Sequence, residues 1–182
     1  EGGYRLELVL PDDFERALLS GRERIEAPGE GQAGACRADE MALIMFTSGT
    51  TGMPKGVMHS CNSLVACIDG FADRLGLRED DVMLACSPLG HMTSYAAVML
   101  QGLCGGSTVV LQDVWNAKRG LAIMAAEGVS HTAGATAFLV DLSEAVNAGG
   151  PKPALRSFLC AGAPILPVLV ERAAQVLGVG VS

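Results

Sequence analysis

Ten consecutive residues, Thr47-Ser48-Gly49-Thr50-Thr51-Gly52-Met53-Pro54-Lys55-Gly56, concentrate groups that bind anions. Three glycines let the backbone curl so that successive N–H groups face a negative charge. The hydroxyls of Thr47, Ser48, Thr50 and Thr51 can donate to phosphate oxygens. Lys55 adds a full positive charge and follows the stiff Pro54. Lysine occurs elsewhere only at Lys118 and Lys152, which makes an ammonium group in this loop stand out. The chemistry implied is a clamp for a triphosphate. The Walker A spacing G-x-x-x-x-G-K-[ST] does not fit. Gly49 and Gly52 are three apart, Lys55 follows Gly52 by three, and Gly56 stands where a Mg²⁺-binding hydroxyl would be needed. That spacing disfavours a P-loop NTPase.

The elements that must hold this loop follow from periodicity. Met41–Phe46 is an unbroken apolar run and reads as a strand covered on both faces, delivering the chain into the loop. Gly56–His59 reads as a short strand. Ser60 or Asn62 can cap a helix whose stripe is Leu64, Ile68, Phe71 and Leu75, with Gly76 at its end. Beyond it, strands at Val82–Cys86, Ser107–Leu111, Val129–Ala133 and Ser157–Ala161 alternate with helices at Ser94–Leu103, Ala117–Glu127, Ala137–Val146 and Pro167–Leu177. This rhythm predicts an α/β fold of three layers, with a mostly parallel sheet and right-handed βαβ crossovers. Upstream, residues 4–10 alternate as a strand, a helix follows Pro11-Asp12-Asp13, and 20–39 read as a charged, Gly-rich surface loop.

Composition narrows the class. Of 182 residues 49% are apolar and 4% aromatic, so small aliphatic side chains must fill a dense interior. A formal net charge of −7 argues against a nucleic-acid backbone as partner. No stretch reaches the ~18–20 apolar residues of a membrane span, and no signal peptide opens the chain. The six cysteines, at 36, 61, 67, 86, 104 and 160, show neither C-x-x-C nor zinc spacing. They read as reduced, buried thiols of a cytoplasmic protein, and no metal ligand set is expected. The absence of an initiator Met and the apolar end at Val179-Gly180-Val181-Ser182 read as cut termini.

Thr47–Gly56 resembles the signature phosphate loop of the adenylate-forming superfamily, which comprises acyl-CoA synthetases, peptide-synthetase adenylation domains and luciferases. Two further blocks support the resemblance in order and distance. Ser87-Pro88-Leu89-Gly90-His91-Met92 is similar to the block bordering the acyl site, and Cys160-Ala161-Gly162-Ala163-Pro164-Ile165 to the segment lining adenine. The resemblance covers 41–182, an AMP-binding domain fragment, with 1–40 a loosely matched lead-in. It implies a carboxylic acid activated by ATP to an acyl-adenylate and then transferred to coenzyme A, with Mg²⁺ as cofactor. By resemblance Thr47, Ser48, Gly49, Thr50, Thr51, Gly52 and Lys55 hold the β- and γ-phosphates, Gly162, Ala163 and Pro164 pack on adenine, and His91 borders the carboxylate or gates the acyl tunnel, with a capped turn residue the competing reading for His91. The family's Mg²⁺-holding Glu, ribose-binding Asp and C-terminal catalytic Lys are expected outside this chain, which alone is expected to be inactive.

Met92, Thr93, Ser94, Tyr95 and the run His131–Thr136 are candidate acyl-pocket walls, with tight strand–helix packing the competing reading. His59 reads as a strand-end histidine. Cys61 stands where many relatives carry His. Trp115 receives no role. The variants Gly90–Thr93 and Val110–Trp115 look most like synthetases for short-chain, medium-chain or alicyclic acids, including the cyclohexanecarboxylate-CoA ligase type. A peptide-synthetase adenylation domain and a catalytically incomplete nucleotide-binding or interaction module are the alternatives.

Overall fold

A computed structural model describes residues 6–9, 37–47 and 54–182. The chain divides into two units, 10–67 and 1–9 with 68–182. The expected helix after Pro11, nearly all of the 20–39 loop and residues Ser48, Gly49, Thr50, Thr51 and Gly52 lie outside the described residues.

In the smaller unit β2 (Met41–Thr47) and β3 (Lys55–Ser60) form an antiparallel ribbon. The ribbon corrects one expectation. Met41, Ile44 and Phe46 are 58%, 44% and 70% exposed, and β2 is not a covered strand of the parallel sheet. An unbroken apolar run fixes neither pairing partner nor cover, so periodicity alone could not separate a sheet strand from a ribbon strand. The ribbon leads into α1 (Cys61–Leu75), whose first turn is capped by Ser60 Oγ accepting from the Ser63 N–H at 3.3 Å.

The larger unit is built on a six-stranded parallel sheet of order β1-β5-β4-β6-β7-β8. Its strands are β1 (Leu6–Val9), β4 (Val82–Ala85), β5 (Thr108–Gln112), β6 (His131–Gly134), β7 (Ser157–Cys160) and β8 (Gly180–Val181). Between them run α2 (residues 92–105), α3 (Ala117–Glu127), α4 (Thr136–Asn147) and α5 (Pro167–Leu177). Strand alternation sorts the core into two faces. Leu84, Cys86, Val110 and Phe158 pack with Leu121, Met124, Leu139, Leu142 and Leu177 of α3, α4 and α5. Met83, Ala85, Val109 and Leu111 pack with Ala97 and Val98 of α2 and with Phe71. Helices therefore cover both faces, giving the three layers expected. Each fully buried Leu or Val contributes roughly 1.5–3 kcal/mol, far more than any single surface contact here.

Local signals set the helix bounds. Asn116 caps α3 by accepting from the Arg119 N–H at 2.9 Å, and α3 stops at Gly128. Pro167 occupies the first turn of α5. The helix expected over 94–103 is longer and irregular: Met92–Ser94 and Gln101–Gly105 are α-helical, and Tyr95–Leu100 between them is π-helical. A Cβ at Gly102 would overlap Val109 Cγ2, so glycine is what lets α2 lie this close to β5.

The amino ends of the strands are tied by a buried polar cluster. Asp81, 4% exposed, accepts from Arg156 Nη2, from Ser130 Oγ and from the Arg78 N–H, each at 2.8 Å. Asp81 Oδ2 also comes within 3.2 Å of His131 Nε2. Arg156 already donates to that nitrogen at 2.6 Å, and His131 Nδ1 shares a proton with Ser157 Oγ at 2.6 Å. Burial pushes the His131 pKa down; the Asp81 charge opposes this and the Arg156 charge adds to it. The ring is therefore neutral, and the ion pair is Arg156–Asp81. Because the folded pKa lies below the ordinary 6.5, the unfolded chain binds more protons as pH falls through that value. Stability should be full above about pH 6.5 and fall below it. Thermal melts between pH 5 and 7.5 should show this slope in the wild type and less of it in His131→Gln. Equal slopes in both proteins would exclude His131 as its source.

The cysteines depart from expectation. Cys86 and Cys160 are buried free thiols, but Cys67 is half-buried, Cys104 is exposed, and Cys61 is disulfide-bonded. Sequence spacing reports motif membership and not distance in the fold, so it missed the disulfide.

Candidate active site at the carboxyl ends of the strands

The connection after β4 leads to β5 on one side, and that after β6 leads to β7 on the other. The crevice between β4 and β6 is thus a topological switch point, where open parallel sheets bind ligands beyond their carboxyl ends. A cavity of about 220 Å³ lies there. Ser87 and Pro88 leave β4 to form one wall, His91 and Thr93 at the start of α2 a second, Ala135 and Phe138 at the start of α4 a third, and Ala161 and Gly162 after β7 a fourth.

Each wall has a local cause. Ser94, fully buried, accepts from the Ser87 N–H at 3.2 Å and shares a hydrogen bond with Ser87 Oγ at 2.6 Å, tying the start of α2 to the end of β4. His91 is the N-cap of α2, and its Nδ1 accepts from the Thr93 N–H at 3.2 Å. Nδ1 is therefore an acceptor, and in the neutral ring Nε2 carries the proton. The Cε1–Nε2 edge faces Gly162: a Cβ there would stand 3.2 Å from Cε1 and 3.7 Å from Nε2. Gly162 also has φ +85°, which a side chain would strain. The turn after β7 is held by the Ala161 N–H to Gly134 carbonyl bond at 3.1 Å and by Thr136 Oγ1 donating to the Pro164 carbonyl at 3.1 Å.

Among the described residues no carboxylate, lysine or arginine lines the cavity. Two helices begin at its rim, and their N-terminal partial charge favours an anion. Cys86 lies beside it, but burial raises its thiol pKa to about 11 and its Sγ is engaged with the Ala133 carbonyl, so it is no nucleophile.

Of the residues singled out in the sequence, the structure brings His91 and Gly162 together. Ala163 and Pro164 sit on the same turn but are exposed and do not line the cavity. Thr47 and Lys55 are cross-strand partners, and Thr47 Oγ1 donates to the Lys55 carbonyl at 3.4 Å. Thr93 and Ala135 are walls; Met92, Ser94 and Tyr95 are not. The space at Gly134 is taken by Phe138 and Cys86 and is not left open for a ligand. His131 begins β6, in the cluster at the opposite end of the strand, and is no pocket wall. Phe138 was missed because an apolar residue on an amphipathic helix reads as core. Among the described residues no group of three or more His, Cys, Asp or Glu could hold a metal ion, so Mg²⁺ is assigned to none of them. None of the described helices is long and apolar enough to cross a membrane.

A family described as AMP-binding enzyme matches residues 5–182. The medium-chain fatty-acid–CoA ligase of Escherichia coli is 37% identical over 145 residues, covering 78% of this chain and 25% of that protein. The inhibitor-bound N-terminal domain of FACL13 from Mycobacterium tuberculosis superposes with a TM-score of 0.74 at 26% identity, over 86% of this chain and 39% of that one. The O-succinylbenzoate coenzyme A synthetase of Bacillus subtilis, solved with ATP and magnesium ion, gives 0.72 at 29%, over 80% and 30%. The chain thus spans about a quarter of that curated relative and less than two-fifths of each solved chain.

Proposed function

Because this chain belongs to the AMP-binding enzyme family of adenylate-forming acyl-CoA ligases, we propose that it supplies part of the acid and nucleotide sites of an ATP-dependent acid–thiol ligase. A substrate carboxylate oxygen bonds to the α-phosphorus of ATP while the bond to pyrophosphate breaks. The thiol sulfur of coenzyme A then bonds to the acyl carbon, and AMP leaves with the carboxylate oxygen. The observation that carries this reading is the uncharged cavity at the β4–β6 switch point, with His91 and Gly162 in facing walls.

In this reading the cavity takes the acyl group, and His91 Nε2–H donates to the reacting carboxylate. The 161–164 turn, with Gly162, Ala163 and Pro164, packs on adenine. Thr47, Ser48, Gly49, Thr50, Thr51, Gly52 and Lys55 offer hydroxyls, amides and one ammonium to the β- and γ-phosphates. Their role is to screen the repulsion between two anions that must meet. Mg²⁺ supplies further charge neutralisation when bound.

The substrate we propose is a short-chain, medium-chain or alicyclic acid. The 220 Å³ cavity exceeds the roughly 150 Å³ that admits benzene in an apolar protein interior. An amino acid would need an acidic partner for its ammonium group, and none of the described residues lining the cavity is acidic, which disfavours the peptide-synthetase alternative.

Acid-dependent ATP–pyrophosphate exchange by the full-length protein tests the proposal. Alicyclic acids and fatty acids of about six to ten carbons should support it, as their apolar volume suits the cavity. The isolated 182 residues should show none. Exchange driven by amino acids and by none of these acids would refute the reading.

A further inference from the structure

Trp115 lies outside the cavity yet bears on one of its walls. It sits in the loop between β5 and α3, and that loop is fastened on both sides of it. Gln112, 3% exposed at the end of β5, donates from Nε2 to the carbonyl of Val114 at 3.1 Å and to that of Asn116 at 3.2 Å. The indole N–H donates to Asp141 Oδ2 at 2.7 Å. Asp141 is on α4, one turn beyond Phe138, so the bond spans from the loop to the helix that carries the cavity wall. The indole then meets the Phe138 ring edge-on, with centroids 4.9 Å apart and planes at 63°. From the strand side Phe138 packs over Gly134, where a Cβ would stand 3.1 Å from Phe138 Cβ.

Phe138 is thus held between a strand that has no side chain at the contact and an indole anchored to Asp141. Its ring is the largest side chain among the described residues lining the cavity. We infer that Trp115, clamped by Asp141, is a positioning residue that sets how large an acid the cavity accepts, by fixing the Phe138 ring. This rests on the reading that the cavity takes the acyl group.

The test compares Phe138→Ala, Trp115→Ala, Trp115→Phe and Asp141→Leu in the full-length protein. The readouts are kcat/KM for decanoate relative to hexanoate in the exchange reaction, KM for ATP, and melting temperature. One methylene in an apolar pocket is discriminated by roughly 10–200-fold, so opening this wall should shift the ratio toward decanoate by about tenfold or more in Phe138→Ala and Trp115→Ala. Trp115→Phe should shift it less, Asp141→Leu in the same direction, and KM for ATP should hold in all four. A general loss of fold would lower turnover of both acids together and leave the ratio unmoved. A shift in Phe138→Ala with none in Trp115→Phe or Asp141→Leu would overturn the inference and leave the acyl reading standing. No shift in Phe138→Ala either, at an unchanged melting temperature, would remove the acyl reading itself. Should Trp115→Ala fail to fold, Trp115→Phe and Asp141→Leu decide the matter.

Discussion

Lys55→Ala in the full-length protein should lower acid-dependent pyrophosphate exchange by ~10²–10³-fold, the cost of removing one preorganised charge or donor from a developing anion. Lys55 pairs with Thr47 across the β2–β3 ribbon. The residue is exposed, and among the described residues it makes no ion pair. Its ammonium group is therefore available to a ligand, and its removal should leave the melting temperature unchanged. The loss should appear in kcat as well as in kcat/KM, because charge accumulates on the departing pyrophosphate. Exchange within about threefold of wild type, in a protein that binds its acid normally, would show that this lysine does not screen the polyphosphate.

Asp81→Ala should be the most damaging change away from the site. It removes the anion from Arg156 and the acceptor from the Arg78 N–H, and leaves the Ser130 hydroxyl only the longer contact to the Val82 carbonyl at 3.3 Å. Breaking a buried pair in this way costs ~3–5 kcal/mol. The lower end applies here, because the Arg156 side chain keeps 33% exposure and can recover water. At about 2–4 °C per kcal/mol for a chain of this length, the melting temperature should fall by roughly 6–12 °C. Asp81→Asn keeps one carbonyl acceptor, for Ser130 or for Arg78 but not for both, and should recover only part of the loss. Calorimetry of the three proteins checks both statements; equal melting temperatures would show that the cluster is not a staple of the sheet.

Much of the larger unit was legible because its signals are local. Ala117–Glu127 and Pro167–Leu177 were readable to the residue from the Gly128 stop and the N-terminal Pro167. Strand–helix alternation alone implied the parallel sheet. What escaped depends on three-dimensional neighbours. The exposure of β2 follows from a pairing partner that periodicity does not name. The π-helical turn at Tyr95–Leu100 leaves an apolar pattern that an α-helix would also give. His91 and Gly162 were each singled out by resemblance, but their facing arrangement needed the β4–β6 crevice. Trp115 and Phe138 look like ordinary core aromatics until the loop and helix are placed. Of the two readings open for His131, wall or packing, the wall falls away through its position along the strand: walls belong at the carboxyl ends of parallel strands, and it stands at the amino end.

Hydrogen exchange of the full-length protein with a non-hydrolysable octanoyl-adenylate mimic addresses the cavity directly. With mimic at about a hundred times its Kd, the amides over 87–95 and 161–164 should slow by roughly tenfold or more. Tight binding of the mimic with unchanged exchange in both segments would place the acyl-adenylate elsewhere and contradict the account.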